Sequence, residues 1–332
     1  MNRLRRSLLV PVSVVSVALM APLAAEAKSI HGTTSSDQVK GSPGNDKFKG
    51  KGGGDQFKGM AGNDKAWGGT GSDSLVMGPG NDVAYGEDDN DRLAGGGGND
   101  LLDGALGNDE LAGNAGNDQI LGQDGNDTIN SGSGDDVVDA GPGDDYKVML
   151  GAGNDVGHGG DGNDGDIAQT GIGIQGQDGD DTIYGDAGND HVSGGPGNDQ
   201  VYGGDGNDTL DGGDGNDLVD LGPGDDNATG DEGDDTMLPG DGADFVYAEE
   251  GSNHVILTSD GAKDLVYCRH EKFDSGTGYV TYVGSDVDYR PTDGSQPLDR
   301  LEGCSRVEVV TSLREALGID PALRFAPSLS EW

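Results

Sequence analysis
An aspartate stands at every ninth position from Asp37 through Asp46, Asp55, Asp64, Asp73, Asp82, Asp91, Asp100, Asp109, Asp118, Asp127 and Asp136 to Asp145. After Asp155 and Asp164 the spacing resumes at Asp181 and runs through Asp190, Asp199, Asp208, Asp217, Asp226 and Asp235 to Asp244. A period this short and strict belongs to a solenoid, in which equivalent side chains of successive repeats stack into rows. A row of carboxylates repels itself unless cations sit between its members. The spacing therefore constrains fold and ligand together.

A well-formed copy is Gly203-Gly204-Asp205-Gly206-Asn207-Asp208-Thr209-Leu210-Asp211, preceded by Gly194-Gly195-Pro196-Gly197-Asn198-Asp199-Gln200-Val201-Tyr202. Numbered from the first glycine, the pattern has aspartate at position 6 and an apolar residue at position 8. The first six residues read as a turn, because glycine accepts positive φ and Asx residues favour turns. The last three read as a short strand. Position 8 holds Leu75, Leu93, Leu102, Leu111, Ile120, Ile129 and Val138, and later Ile183, Val192, Val201, Leu210, Val219 and Val246. One apolar residue per strand leaves a thin interior, too thin for burial alone to hold the fold.

The chain has 20 Lys and Arg against 62 Asp and Glu, net −42. Arg3, Arg5 and Arg6, the apolar stretch from Leu8 to Ala25 and the small-x-small Ala25-Glu26-Ala27 read as a cleavable signal, residues 1–27. The other reading is an uncleaved anchor, and no other segment could span a bilayer. Without those three arginines and Glu26, 17 basic and 61 acidic residues remain, net −44. The excess lies in the repeats and excludes nucleic acid and anionic lipid as partners of the whole chain. Such composition predicts disorder, whereas periodicity predicts order. Both hold if the chain is disordered without cation and ordered with it.

The motif G-G-x-G-x-D-x-U-x, carried from Asp37 to about Asn253, resembles the repeats-in-toxin calcium-binding family of haemolysin-type nonapeptide repeats. The resemblance implies an all-β right-handed parallel β-roll, two repeats per coil, with several calcium ions between successive loops on each side. Aspartates 18 residues apart would share a metal. Asp46, Asp64, Asp82, Asp100, Asp118 and Asp136 would line one side, and Asp55, Asp73, Asp91, Asp109, Asp127 and Asp145 the other. Asp155, Asp164, Asp181, Asp190, Asp199, Asp208, Asp217, Asp226, Asp235 and Asp244 would continue them. Calcium fits the chemistry, since it takes six to eight oxygens in irregular geometry. Turns with exposed carbonyls supply these, and many copies add a carboxylate three residues earlier, as at Asp124 and Asp205. Magnesium demands an octahedron, and zinc His or Cys. The plainer alternative is a solenoid whose aspartates only cap turns.

Two irregular steps interrupt the rhythm within 146–180. Asp145 to Asp155 is ten residues, and Asp164 to Asp181 is seventeen. No aspartate stands near Gly173, so the side carrying Asp155 and Asp190 should lack one carboxylate. The stretch reads as a bulged coil with a weakened site, or as a boundary between two rolls. Its Gly171-Ile172-Gly173-Ile174-Gln175-Gly176 spells G-x-G-x-x-G without the strand–helix context of a nucleotide site. The early repeats carry Lys40, Lys47, Lys49, Lys51, Lys58 and Lys65. These read as a charge-balancing cap over the open first coil, or as a contact surface for an anionic polymer.

The domain reading is a roll over 28–259 and a C-terminal cap over 260–332. Strands are expected at 263–268, 278–283 and 305–310, and a helix from the capping box at Ser312. The segment looks like the cysteine-containing cap of secreted bacterial rolls. Cys268 and Cys304 suggest one disulfide worth about 3–4 kcal/mol, with two buried thiols as the other reading. No H-E-x-x-H or G-x-S-x-G occurs. The expected product is a secreted, monomeric, non-enzymatic calcium-binding roll, a structural or interaction module of cell surface or matrix. The alternative is a calcium-dependent extracellular hydrolase with its site in the cap, where Asp264, Asp286 and Asp288 would be tested.

Overall fold
The computed structural model describes residues 27–165, 173–258, 264–267, 279–283, 300–302 and 306–310, and all regular structure among them is β. Successive strands alternate between two parallel sheets, one of fifteen strands and one of fourteen. Lys47–Gly52 lies beside Lys65–Thr70 with Lys47 opposite Lys65, and Leu111 lies opposite Ile129. The register is eighteen residues, so two repeats make one coil, as the family resemblance implies.

The strands are longer than the three residues expected. Thr209–Asp214 and most others span six, positions 7–9 of one repeat and 1–3 of the next. The ladder skips position 1 and resumes at position 2: Asp211 pairs Thr229, then Gly213 pairs Asp231. At position 2 the backbone is left-handed, φ +102° at Gly213. The glycines that looked like turn residues therefore bend a strand without ending it. Position 2 also holds non-glycine residues with positive φ, among them Lys51, Ala105, Asn114 and Gln123. Each costs about 1–2 kcal/mol that coil-to-coil bonding must offset.

Position 4 tolerates nothing but glycine where coils approach closely. Gly188 has φ +152°, and a Cβ there would lie 1.2 Å from the Gly162 carbonyl oxygen of the previous coil. Gly188→Ala is expected to destabilise the calcium-loaded fold by ~3 kcal/mol or more. Urea midpoints in calcium check this, and an unchanged midpoint would refute the close approach.

The core is one row of position-8 side chains from each sheet, backed by position 1. Val83–Asp88 and Arg92–Gly97 both bury positions 8 and 1 while positions 7 and 9 stay accessible. Phe48 and Phe57 come from opposite sheets, yet their rings stack 4.9 Å apart, so the layer is one side chain deep. Where position 8 is too small, position 1 fills in. Gly157 occupies an apolar slot, and Leu150 Cδ1 lies 2.8 Å from the point its Cβ would take. Leu150→Ala should cost ~2–5 kcal/mol. Adding Gly157→Val to it should recover at least about 1 kcal/mol of that loss, while Gly157→Val alone destabilises by overpacking. A double-mutant cycle of melting curves decides; additive effects would mean the two positions do not share one space.

The irregular coil closes without a gap. Tyr146 is the extra residue, pushed out and exposed, and Lys147 restores the register against Thr128. Beyond Asp164 the next strand is Ile174–Asp178, which pairs Val148 with Ile174. Asp155 and Asp164 consequently pair with Asp181 and Asp190, each 26 residues on. This corrects the expected missing carboxylate: both columns pass directly from Asp155 to Asp181 and from Asp164 to Asp190, so neither side loses one. It also corrects the alternative of two rolls, because both sheets run through the region. A strand follows Gly173 where a nucleotide loop would need a helix.

In 260–332 the expected strands are present as Leu265–Tyr267, Tyr279–Val283 and Arg306–Val310, with Arg300–Glu302 between the last two. They pair in parallel onto the same two sheets. Cys268, Cys304 and the helix expected from Ser312 lie outside the described residues, as does the signal through residue 26.

Candidate metal centre
Position 6 closes each turn. The aspartate N–H donates to Oδ1 of the aspartate one coil further on, and this bond is repeated along both edges of the roll. On one edge it links Asp46 to Asp64, Asp82, Asp100, Asp118, Asp136, Asp155, Asp181, Asp199, Asp217 and Asp235. On the other it links Asp55 to Asp73, Asp91, Asp109, Asp127, Asp145, Asp164, Asp190, Asp208, Asp226 and Asp244. The distances run from 2.5 Å at Asp55 to 3.1 Å at Asp217. The columns extend beyond the residues the period marks. Asp37 joins at one end, and Asn253 and Asp264 accept from Asp235 and Asp244 at the other. Asp264, a candidate for a site in the cap, thus belongs to a column.

A carboxylate has two oxygens, and only one is used in this way. From Asp55 to Asp235, Oδ2 of every column aspartate is buried without a hydrogen-bond partner. Buried polar atoms are almost always satisfied, and a buried bare carboxylate oxygen is expensive. Burial is accordingly the main cause that pushes these carboxyls up, partly offset by the N–H from the preceding coil and reinforced by column neighbours. Asp91 and Asp164 reach about 8, Asp127 and Asp190 about 7, and Asp64 and Asp118 about 6. Asp46 differs: the Ser42 N–H donates to its Oδ2, and the Ser42 hydroxyl to its Oδ1 at 2.9 Å.

The orphaned oxygens lie in a cradle that side chains would fill. A Cβ on Gly50 would be 2.2 Å from both Asp55 Oδ2 and the Gly68 carbonyl oxygen, and Gly59 stands likewise between Asp64 Oδ2 and the Met77 carbonyl. Carboxylate and main-chain oxygen converge there, the hard-donor set that calcium takes. Among the described residues no three His, Cys, Asp or Glu side chains gather as a metal cluster. The facing oxygens beside each column carboxylate are main-chain carbonyls, such as those of Gly68 and Met77. An all-oxygen set of this kind suits calcium, whereas zinc favours His and Cys.

The period-based reading overlooked position 5. Asn63 N–H donates to Asn45 Oδ1 at 2.9 Å, and Asn99 to Asn81, Asn117 to Asn99, and Asn216 to Asn198 in the same way. This ladder runs opposite to the aspartate one, each coil donating to its predecessor. The signal was present as the recurrent Asn-Asp pair.

A family model for the RTX calcium-binding nonapeptide repeat, four copies long, matches residues 29–57, 49–84, 77–111, 112–146, 174–201, 193–228, 202–237 and 221–255. The chain belongs to the RTX calcium-binding nonapeptide repeat family. The RTX matches stop at 146 and restart at 174, the bounds of the irregular coil. A comparison with curated proteins returned no match. As an RTX repeat protein the chain binds multiple calcium ions, and its solenoid supplies the turns that hold them.

Proposed function
We propose that this protein is exported through a cleaved signal, residues 1–27, and folds outside the cell when calcium fills the two aspartate columns. There it serves as a monomeric structural or interaction module of cell surface or matrix. The ligands are the twenty-two aspartates from Asp46 to Asp244 named from the sequence. The roll spans 28–259, and the 260–332 segment closes it, with Cys268 bonded to Cys304. The row of buried, unpartnered Oδ2 atoms carries the reading.

The chain's own groups divide the work. Oδ1 ties each coil to the one before, while Oδ2 and the facing carbonyls bind the ion. Calcium supplies the positive charge that lets carboxylates stack at strand spacing. The hydrolase alternative gains little. His158 Nδ1 does meet Asp186 Oδ2 at 3.0 Å, and that carboxylate raises the imidazole's pKa. The ring is stacked on Tyr184, itself stacked on Tyr202. The pair is thus part of an open strand row rather than a cleft. Among the described residues no helix is long and apolar enough to cross a membrane.

Mass spectrometry of protein recovered from the medium of expressing cells tests export and closure. The expected N-terminus is Lys28, with neither cysteine alkylated before reduction. Retention in the cell with residues 1–27 attached, or two alkylated thiols, would refute those parts of the reading.

A further inference from the structure
Charge is distributed very unevenly along the roll. Of the nine Lys and Arg between Lys28 and Ser259, seven fall between Lys28 and Lys65. The four acids in that stretch, Asp37, Asp46, Asp55 and Asp64, are all column aspartates. With the columns neutralised, the first coils form a cationic collar on an otherwise acidic rod.

The lysines do two different things. Lys51 Nζ donates to the Gly32 carbonyl and Lys28 Nζ to the Gly41 carbonyl, at 2.6 and 3.1 Å. Those two cap the open first coil. Lys47, Lys49 and Lys65 are exposed on the outer face of the fifteen-strand sheet and have no acidic partner within salt-bridge distance among the described residues. Lys47 and Lys65 stand directly opposite each other, an arrangement that like charges disfavour. Lys47 and Lys49 both place Nζ over the Trp67 ring, 5.0 and 5.1 Å from its centre. Tyr85 stacks on the ring at 5.6 Å. The indole fixes two ammonium groups, which spares the ordering entropy that loose lysines lose on binding. Guarding the edge strand against pairing would need lysines only on the first coil, whereas these stand on the second and third.

We propose that this face, Lys47, Lys49, Lys65 and Trp67, binds an anionic polysaccharide. A linear polymer reaches the collar without bringing its charge against the acidic body, which a flat anionic bilayer could not avoid. Successive lysines along the ladder are spaced by about 4.8 Å, close to the rise of one unit in an extended pyranose chain. The site rests on the reading of the roll as an extracellular interaction module, and it adds the class of partner.

The test uses residues 28–332 in calcium with hyaluronate and dextran sulfate as probes, neutral dextran as control, and circular dichroism to verify folding. Binding of at least one anionic polymer is expected, weakening about tenfold or more for the triple variant Lys47→Gln, Lys49→Gln and Lys65→Gln. The Arg92→Gln, Lys147→Gln variant should bind as the parent does. Failure of the folded parent to bind either polymer overturns the proposal. So does binding lost through Lys40→Gln and Lys58→Gln, on the other sheet, and kept by the triple variant. Capture by phosphatidylglycerol vesicles, or concentration-dependent self-association, abolished by the triple variant without polymer binding would assign the face to those partners and overturn it too. Polymer binding undiminished in chelator would support the site and count against metal-coupled folding.

Discussion

In chelator at pH 7.5 the chain 28–332 is expected to give the circular dichroism of a disordered polypeptide, and calcium to convert it cooperatively to β structure. Magnesium at the same concentration should not. Metal-free, the fold would bury about one bare carboxylate oxygen per repeat, against a core one side chain deep. Several residues also hold left-handed φ without being glycine. Hydrophobic burial from single Val, Ile or Leu side chains, ~1.5–3 kcal/mol each, must meet backbone ordering of ~1–2 kcal/mol for every one of nine residues. The deficit has to come from the ion, and binding free energy becomes folding free energy. Because each coil rests on the next, sites fill together. Asp127→Asn keeps an Oδ1 acceptor and removes a charge in mid-column. It should raise the calcium midpoint several-fold and flatten the transition. A β spectrum already present in chelator at this pH would overturn metal-coupled folding.

Acid should partly replace the metal. Desolvation raises the column carboxyls to about 6 at Asp64, about 7 at Asp127 and about 8 at Asp91 and Asp164, whereas an unfolded aspartate titrates near 4. A group whose folded pKa is raised contributes its stability in full below the unfolded value and loses it as pH rises through the folded one. The metal-free fold binds more protons than the unfolded chain, so its stability falls as pH rises, by ~1.4 kcal/mol per pH unit for each proton difference. In chelator, β structure is therefore expected near pH 4 and lost between about pH 5 and 8. In calcium the trend reverses at low pH, because protons compete for Oδ2. A chelator titration showing more β structure at pH 8 than at pH 4 would contradict the burial of these carboxyls.

Much of this is legible in the amino-acid sequence. The nine-residue aspartate spacing marks a solenoid whose equivalent carboxylates stack in rows, while two repeats per coil, pairing of residues 18 apart and the two columns came from the family resemblance, since a nine-residue period alone would also fit one repeat per coil. Strand length was misjudged, since Gly213 and its equivalents look like turn residues although a ladder can pass through a left-handed position. The irregular coil was misjudged for a related reason. Counting aspartates assumes an even step, yet Tyr146 stands outside the register just behind Asp145, and the columns bridge 26 residues from Asp155 to Asp181 and from Asp164 to Asp190. The Asn ladder went unread because asparagine beside aspartate looks like ordinary turn composition. Its role shows only when Asn81 and Asn99 are seen a strand apart. Leu150 filling the space over Gly157 is a contact between sheets, which no period encodes.

Stacked coils also imply a change of reach. A coil advances by one strand spacing, ~4.8 Å, so the fifteen strands of the longer sheet stack to roughly 70 Å. The same stretch of chain drawn out at ~3.4 Å per residue would extend on the order of 900 Å. On the metal-coupled reading, calcium acts on length as well as order. Whatever is held at either end of this chain would be drawn from a long, slack tether onto a short, stiff rod when the ion arrives, and released when it is withdrawn.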